Sequence, residues 1–200
     1  MKVILFDFDG VIVDTFSFCY RIMNSRDAIS EDFYRAKFEG NINDAFKKPE
    51  QNPDAKPFDF YGQYNPELMA CQPNEEVVKV IKELVRNHTL IIISSTISSS
   101  IEQFLEVHGL ADAFKEILGN DVEKSKVKKI NDVLQRYGIK STETVFITDT
   151  LGDIKEANVC GVKSIAVTWG YHSSTTLEKG SPYKIIDHPN KLIETIQEMK

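Results

Sequence analysis

Residues 3–11 read Val3-Ile4-Leu5-Phe6-Asp7-Phe8-Asp9-Gly10-Val11 and carry the strongest structural signal of the chain. The apolar run predicts a buried strand, and Asp7 and Asp9 stand two residues apart where that strand ends. Side chains at i and i+2 share one side of a strand, so we expect both carboxylates to converge beyond its tip. Two such charges repel unless a cation lies between them or one carboxylate holds a proton. An ordinary polar cap on a buried strand is the alternative for such a pair taken alone.

Short apolar runs alternate with helical patterns along most of the chain, which predicts an α/β fold with a doubly wound parallel sheet. The predicted strands are Val3 to Phe8, Leu90 to Ser94, Glu116 to Leu118, Val145 to Thr148, Ser164 to Val167 and Tyr183 to Ile186. Asn74 is the expected N-cap of the helix that precedes the second strand. Ser99 and Glu102 have the spacing of a capping box for the helix that follows it.

Residues 16–72 interrupt this alternation and contain no pattern typical of a buried strand. A loop-rich stretch is predicted by four prolines, Pro49, Pro53, Pro57 and Pro66. An insertion after the first strand emerges at the carboxyl end of the sheet, where open α/β sheets bind ligands. We therefore predict a core domain of residues 1–15 and 73–200, with a small helical cap domain of residues 16–72 inserted after the first strand.

Composition limits the class of protein. With 200 residues and 42% hydrophobic content, the chain can form one core domain and a small accessory one. Its formal net charge of −6 argues against binding to nucleic acid or to an anionic membrane. No apolar run approaches the roughly 18 residues that span a bilayer. Cys19, Cys71 and Cys160 have no metal-binding spacing and are odd in number, so we expect a reducing, cytoplasmic location.

Polar residues follow several of the predicted strands. Asp7 and Asp9 end the first strand, Ser94 and Ser95 end the second, and Asp149 and Asp153 follow the fourth. If the strands are parallel, all these groups meet at one edge of the sheet. The four acids would form an oxygen-rich site suited to Mg²⁺, whereas zinc would favour Cys or His ligands.

Three motifs and one lysine carry a resemblance to a known family. In chain order they are Asp7-Phe8-Asp9-Gly10-Val11-Ile12-Val13-Asp14-Thr15, Ile93-Ser94-Ser95-Thr96, Lys124, and Phe146-Ile147-Thr148-Asp149-Thr150-Leu151-Gly152-Asp153. In this order they resemble the haloacid dehalogenase superfamily of aspartate-nucleophile hydrolases. The tail formed by residues 167–172 and 176–178 resembles the phosphoglycolate-phosphatase-like branch. One departure is Thr148, because the family usually has Gly before the motif's first Asp, and a Cβ there restricts the approach of the backbone to a metal or substrate.

The resemblance implies a Rossmann-like core with a helical cap and a Mg²⁺-dependent phosphatase that acts through an aspartyl phosphate. Asp7 would be the nucleophile and a metal ligand, and Asp9 the general acid and then base. The backbone carbonyl of Asp9 would also touch the metal. Asp149 would bind the metal directly, and Asp153 would support it or anchor the lysine of the site. A helix N-cap is the alternative role for Asp153.

The resemblance also implies groups that hold the phosphate. Ser94 and Ser95 would donate hydrogen bonds to phosphoryl oxygens, although both could instead cap or turn the chain. Lys124 would neutralise the charge that develops on the phosphoryl group and keep Asp7 ionised. Lys126 is the alternative lysine. The basic stretch 124–129 is otherwise interpreted as a solvated helix face.

The expected partner is a small phosphorylated metabolite, bound by a monomer or homodimer. A phosphotransferase or phosphomutase is the alternative on the same fold, since it differs mainly in how well the site excludes water. A non-catalytic binding or regulatory protein is the alternative from another class, and Thr148 is the residue that supports it. A dehalogenase is less favoured, because that chemistry does not need the second acid, Asp9.

Overall fold

A computed structural model describes residues 1–45 and 58–199. Six parallel strands form one sheet in this part of the chain: β1 (Val3–Phe6), β2 (Thr89–Ile93), β3 (Glu116–Leu118), β4 (Thr144–Thr148), β5 (Lys163–Val167) and β6 (Lys184–Ile186). Their order across the sheet is β3-β2-β1-β4-β5-β6. Val3 of the central β1 pairs with Thr89 on one side and Thr144 on the other. The predicted doubly wound α/β fold is confirmed.

The sheet is buried on both faces, because its central strands are apolar at nearly every position. Ile4 and Phe6 of β1 pack into the larger apolar cluster, whereas Val3 and Leu5 pack into a second cluster. Alternate residues of a strand point to opposite faces, so the two clusters lie on opposite sides of the sheet. A continuous apolar run is typical of a parallel strand that helices cover on both faces.

The α-helices of the described residues are α1 (Phe16–Asp27), α2 (Glu31–Ala36), α3 (Ile42–Ala45), α4 (Phe60–Ala70), α5 (Glu75–Leu84), α6 (Ser98–Val107), α7 (Lys126–Tyr137), α8 (Leu151–Val159), α9 (Ser174–Glu178) and α10 (Lys191–Glu198). Asn74 caps α5 as predicted, since its side chain accepts from two N–H groups of the first turn. The predicted capping box at Ser99 is wrong. Helix α6 begins at Ser98, whose N–H donates to the carboxylate of Asp121, 2.7 Å away.

Helices α1 to α4 lie in the segment predicted as a cap, and its described residues contain no strand. Pro49, Pro53 and Pro57 lie outside the described residues. The expected loop at Pro66 is wrong, because Pro66 lies inside α4. Proline removes one N–H donor from a helix, but Tyr64 and Leu68 of α4 are buried, and this packing holds the helix together.

Helices α1 to α4 contact the carboxyl end of the sheet. The hydroxyl of Tyr61 donates to the carbonyl of Ser95, after β2, at 3.3 Å, and the Asn41 amide donates to Glu156 of α8 at 2.9 Å. Helix α8 permits this approach through Gly152, where a Cβ would lie 2.3 Å from the carbonyl oxygen of Gly40. The division into core and cap domains stays a prediction. A helix able to span a membrane is not found among the described residues.

Candidate active site

The chain leaves β1 through a turn that depends on Gly10. Its φ of +73° lies in the left-handed region, and its N–H donates to the carbonyl of Val13 at 2.8 Å. A Cβ at this position would lie 2.0 Å from Oδ2 of Asp149. The turn leaves the side chains of Asp7 and Asp9 lining one cavity at the carboxyl edge of the sheet.

Lys126 is the cation beside Asp7. Its Nζ lies 2.9 Å from Oδ2 of Asp7 and 2.6 Å from Oδ2 of Asp153, and only 3% of its side chain is exposed. Lys124, which the sequence placed at these carboxylates, is exposed at the rim of the cavity. The placement of Lys124 is therefore wrong, and the alternative lysine occupies that position.

The start of α7 explains this difference. Ser125 is the N-cap of α7, and its side chain accepts from the N–H of Lys128. Lys126 is thus the first helical residue and lies against the sheet edge, whereas Lys124 precedes the helix. The carbonyl of Lys124 accepts a 3.0 Å hydrogen bond from the side chain of Asn43. A shift of two residues across a helix start changes the direction of a side chain completely.

Lys129 is a second buried lysine that the sequence interpretation missed. Its Nζ donates to the carbonyl oxygen of Ser94 at 2.6 Å and to that of Gly119 at 3.2 Å. Burial, together with the nearby charge of Lys126, lowers the pKa of Lys129 to about 8. The basic stretch 124–129 is therefore not simply a solvated face. The ends of β2 and β3 are joined here by an ammonium group.

Thr148 supports the site through its side chain. It is fully buried at the end of β4, and its hydroxyl donates to Oδ2 of Asp153 at 2.7 Å. Asp153 thus anchors Lys126 and is itself held by Thr148. The alternative of Asp153 as an N-cap is wrong, because Thr150 is the N-cap of α8 and accepts from the N–H of Asp153.

Asp149 is fully buried directly after β4. Its Oδ2 accepts from the N–H of Tyr171 at 2.6 Å, whereas its Oδ1 has no hydrogen-bond partner among the described residues. Burial raises the pKa of Asp149 to about 7. A buried oxygen without a partner is costly in water-free surroundings unless a ligand satisfies it.

The carboxylates around Lys126 differ in their electrostatics. Burial raises the pKa of Asp7 well above its usual value, and Lys126 offsets this only in part. Burial also acts to raise the pKa of Asp153, but Lys126 and the hydrogen bonds of Asp153 outweigh this effect. The pKa of Asp153 is therefore lowered. Asp7, Asp149 and Asp153 are all buried around the ammonium group of Lys126. This excess of negative charge favours a further cation.

The residues fit a Mg²⁺ ion that keeps part of its water. Within residues 1–45 and 58–199, no three His, Cys, Asp or Glu side chains are grouped so that they could hold a metal ion. Mg²⁺ usually binds one or two carboxylates and completes its sphere with waters and substrate phosphate. The partnerless Oδ1 of Asp149 and the carboxylate of Asp7 are donors of this kind. Asp153 instead uses Oδ2 for Lys126 and Thr148.

Asp9 is held by two hydroxyl groups that the sequence interpretation did not identify. Tyr64 of α4 donates to Oδ1 of Asp9, and Thr96 donates to Oδ2, each at 2.7 Å. Thr96 belongs to the same short motif as Ser94, so the sequence could have identified its hydroxyl as a candidate site group. Tyr64 lies 55 residues from Asp9, and no local pattern links them.

The two serines after β2 occupy different positions. Ser94 is fully buried, and its Oγ accepts from the N–H of Thr96 at 3.0 Å. Ser95 lines the cavity together with Thr96. The turn after β2 therefore brings the hydroxyl of Thr96 to Asp9 and Ser95 into the cavity lining, whereas Ser94 lies outside that lining. The binding of phosphate by the two serines stays a prediction.

The cavity above these residues has a volume of about 470 Å³. Its floor is formed by polar groups of the sheet edge, including Asp7, Asp9 and Lys126. Its other residues include the aromatic side chains Tyr34, Phe38, Phe58, Phe60, Tyr61, Tyr64 and Tyr171. A polar floor under a mostly apolar wall is typical of a small-molecule site.

Comparison with known proteins places the chain in a family. The model of the haloacid dehalogenase-like hydrolases matches residues 4–167. The phosphoglycolate phosphatase of Synechococcus elongatus is 23% identical over 210 residues, which cover 100% of this chain and 99% of that protein. That of Vibrio parahaemolyticus is 26% identical over 142 residues, covering 69% of this chain and 61% of that protein.

Solved structures give the same result for the fold. A haloacid dehalogenase-like hydrolase from Streptococcus pneumoniae superposes with a TM-score of 0.79 at 19% identity, over 98% of this chain and 99% of that one. At such identity the likeness concerns the fold. The family match and the curated relatives extend the likeness from the fold to the family. They confirm the resemblance inferred from the sequence motifs. The chain belongs to the haloacid dehalogenase-like hydrolase family, and the two curated relatives described above are phosphoglycolate phosphatases.

Proposed function

We propose that this protein is a Mg²⁺-dependent phosphatase that hydrolyses a small phosphomonoester through an aspartyl phosphate on Asp7. The position of Asp7 carries the proposal. Its carboxylate is buried, accepts a 2.8 Å hydrogen bond from the N–H of Phe8 and contacts Lys126. It lines the same cavity as Asp9, so a nucleophile and an acid-base group face one volume.

Covalent catalysis divides the hydrolysis into two steps. An oxygen of Asp7 attacks phosphorus, the bond from phosphorus to the leaving oxygen breaks, and protonated Asp9 gives its proton to that oxygen. A water molecule then attacks the phosphorus of the aspartyl phosphate. Asp9 accepts a proton from this water, and the bond from phosphorus to the Asp7 oxygen breaks, which restores the Asp7 carboxylate and the protonated form of Asp9.

Asp7, Asp149 and the backbone carbonyl of Asp9 would hold the Mg²⁺ ion. When bound, the ion supplies positive charge that reduces repulsion between the anionic nucleophile and the anionic substrate. Asp153 acts on the site through Lys126, which it contacts at 2.6 Å.

Lys126 takes the role that the sequence interpretation gave to Lys124. Its ammonium group lies beside Asp7 and faces the charge that develops on the transferring phosphoryl group. Ser95, at the turn after β2, lines the cavity and would donate to a phosphoryl oxygen, whereas the buried Ser94 would hold the turn in place. The substrate is a small phosphorylated metabolite, and a reducing cytoplasm fits the three free cysteines.

Burst kinetics with an excess of p-nitrophenyl phosphate test the covalent step. We expect Asp9→Asn to release about one equivalent of p-nitrophenolate in a burst and then turn over slowly. This leaving group needs little help from an acid, whereas hydrolysis of the intermediate still needs a base. Mass spectrometry should find one phosphoryl group on the peptide that contains Asp7. Asp7→Asn should show neither burst nor label.

Asp112→Asn is the matched control, because Asp112 is an exposed carboxylate outside the cavity. It should behave as the wild type. Full activity of Asp7→Asn, or phosphate release without any label on that peptide, would contradict the covalent mechanism.

A further inference from the structure

The position of Asp9 identifies the side of the cavity that receives the leaving group. A general acid must contact the leaving oxygen, so the leaving group extends from a point next to Asp9. Asp9 is bonded to the hydroxyl of Tyr64 at 2.7 Å. The leaving group therefore meets helix α4 and the residues around Tyr64.

This part of the cavity is aromatic. The ring of Phe60 stacks on that of Tyr64 with centroids 5.5 Å apart and an interplanar angle of 26°. Tyr61 meets Tyr64 edge-on at 6.0 Å. Both Phe60 and Tyr61 line the cavity and are only partly buried, so protein atoms do not cover them completely. Phe38, also half-buried, lines the same cavity, where its ring meets those of Tyr34 and Tyr171 at centroid distances of 5.2 and 4.8 Å.

The cations of the lining do not provide a buried site for a carboxylate on the leaving group. Among the described residues, those cations are Arg26, Lys124 and Lys126. Arg26 forms an ion pair with Asp27, and Lys126 contacts the carboxylates of the floor. Lys124 is exposed at the rim, where water weakens an ion pair.

The size of the cavity also argues against a small carboxylate as the leaving group. The volume of about 470 Å³ lies in the range of about 300–1,000 Å³ typical of pockets for drug-sized ligands. A two-carbon carboxylate such as glycolate would leave much of the aromatic wall in contact with water. A planar ring would cover it, and aromatic pairs contribute beyond their buried area.

We propose that the leaving group of the physiological substrate carries an aromatic ring, which packs against the side chains of Phe60 and Phe38. This inference rests on the phosphatase function proposed above. It assigns to α4 and to Phe38 the choice of leaving group, and to the sheet edge the chemistry of phosphate transfer.

Four alkyl phosphates whose leaving groups all depart as alkoxides test the inference: 2-phenylethyl phosphate, 2-cyclohexylethyl phosphate, ethyl phosphate and phosphoglycolate. With the wild type and Mg²⁺, kcat/KM for the phenyl compound should exceed that for ethyl phosphate and phosphoglycolate by at least about tenfold. It should also exceed that for the cyclohexyl compound, because a saturated ring of similar size does not stack on aromatic side chains.

Phe60→Ala should reduce the ratio of kcat/KM between the phenyl and ethyl compounds at least about threefold, and Phe38→Ala should reduce it in the same direction. Phe33→Ala is the matched control, since Phe33 is 50% exposed and lies outside the cavity lining. It should leave the ratio unchanged.

A wild type that hydrolyses phosphoglycolate or the cyclohexyl compound as well as the phenyl compound would overturn the aromatic assignment and leave the phosphatase function intact. The same holds if the ratio survives in both Phe60→Ala and Phe38→Ala. No turnover of any of the four compounds or of p-nitrophenyl phosphate, with no label on Asp7, would overturn both proposals together.

Discussion

Nζ of Lys126 lies 2.9 Å from Oδ2 of Asp7, and both side chains are almost completely buried. Lys126→Ala should lower kcat by about two or more orders of magnitude, as the loss of one preorganised charge does. It should also lower the free energy of unfolding by about 3 kcal/mol, because two buried carboxylates lose their cation. Steady-state kinetics and urea unfolding measure the two effects.

Lys124→Ala is the matched control for this prediction. Lys124 is exposed, so the change should alter the free energy of unfolding by less than about 0.5 kcal/mol and kcat only slightly. Should Lys124→Ala prove to be the inactive variant, the assignment of the site lysine to Lys126 would be wrong.

The hydroxyl of Thr148 contributes to the site by holding Asp153. Thr148→Val preserves the shape of the side chain and removes the 2.7 Å hydrogen bond to Asp153. We expect a loss of about 1.5–3 kcal/mol in the free energy of unfolding, as for hydrogen bonds to charged groups, and a severalfold fall in kcat. Thr148→Ser keeps the hydroxyl and should recover most of the kcat. Equal kcat values for the Val and Ser variants would contradict this role.

Tyr64 holds Asp9, the proposed acid-base group, through a hydrogen bond. Tyr64→Phe removes the hydrogen bond to Oδ1 of Asp9, so the carboxylate that forms when Asp9 gives up its proton is less well stabilised. The rate of transfer from alkyl phosphates should fall more than that from p-nitrophenyl phosphate, whose leaving group needs less acid assistance. A plot of rate against leaving-group pKa should therefore become steeper.

Tyr20→Phe provides the comparison for Tyr64→Phe. Tyr20 donates to the carbonyl of Ile29 at 3.0 Å and does not line the cavity, so its loss should not change that slope. If both variants changed the slope equally, the effect of Tyr64 would be structural rather than specific to Asp9.

Mg²⁺ should stabilise the protein as well as activate it. Adding Mg²⁺ should raise the midpoint of thermal unfolding, because a ligand that binds the folded state shifts the equilibrium toward it. Asp149→Asn should reduce this shift, since it removes a donor oxygen that has no other partner among the described residues.

Activity should disappear in EDTA and return with Mg²⁺ but poorly with Ca²⁺, whose larger coordination sphere misplaces the nucleophile. Full activity in EDTA would contradict the metal requirement.

Local patterns in the chain were sufficient to predict the sheet and the edge of the sheet at which the candidate site lies. Apolar runs identify strands because a parallel sheet is buried on both faces, and polar residues such as Asp7, Asp9 and Asp149 follow those runs. Once the strands are parallel, these side chains must meet at one edge. The motifs that resemble those of the family also lie at this edge.

The side-chain contacts of the candidate site were decided by the tertiary structure alone. Lys126 lies beside Asp7 in place of Lys124 because α7 begins at Lys126, after the N-cap Ser125. The packing of the helix against the sheet helps to fix this start, whereas sequence patterns locate helix ends only to within a few residues. Tyr64 reaches Asp9, and Thr148 reaches Asp153, through side-chain directions that no residue spacing specifies. Periodicity records which residues are buried, whereas the partner of a buried polar atom depends on how the elements pack together.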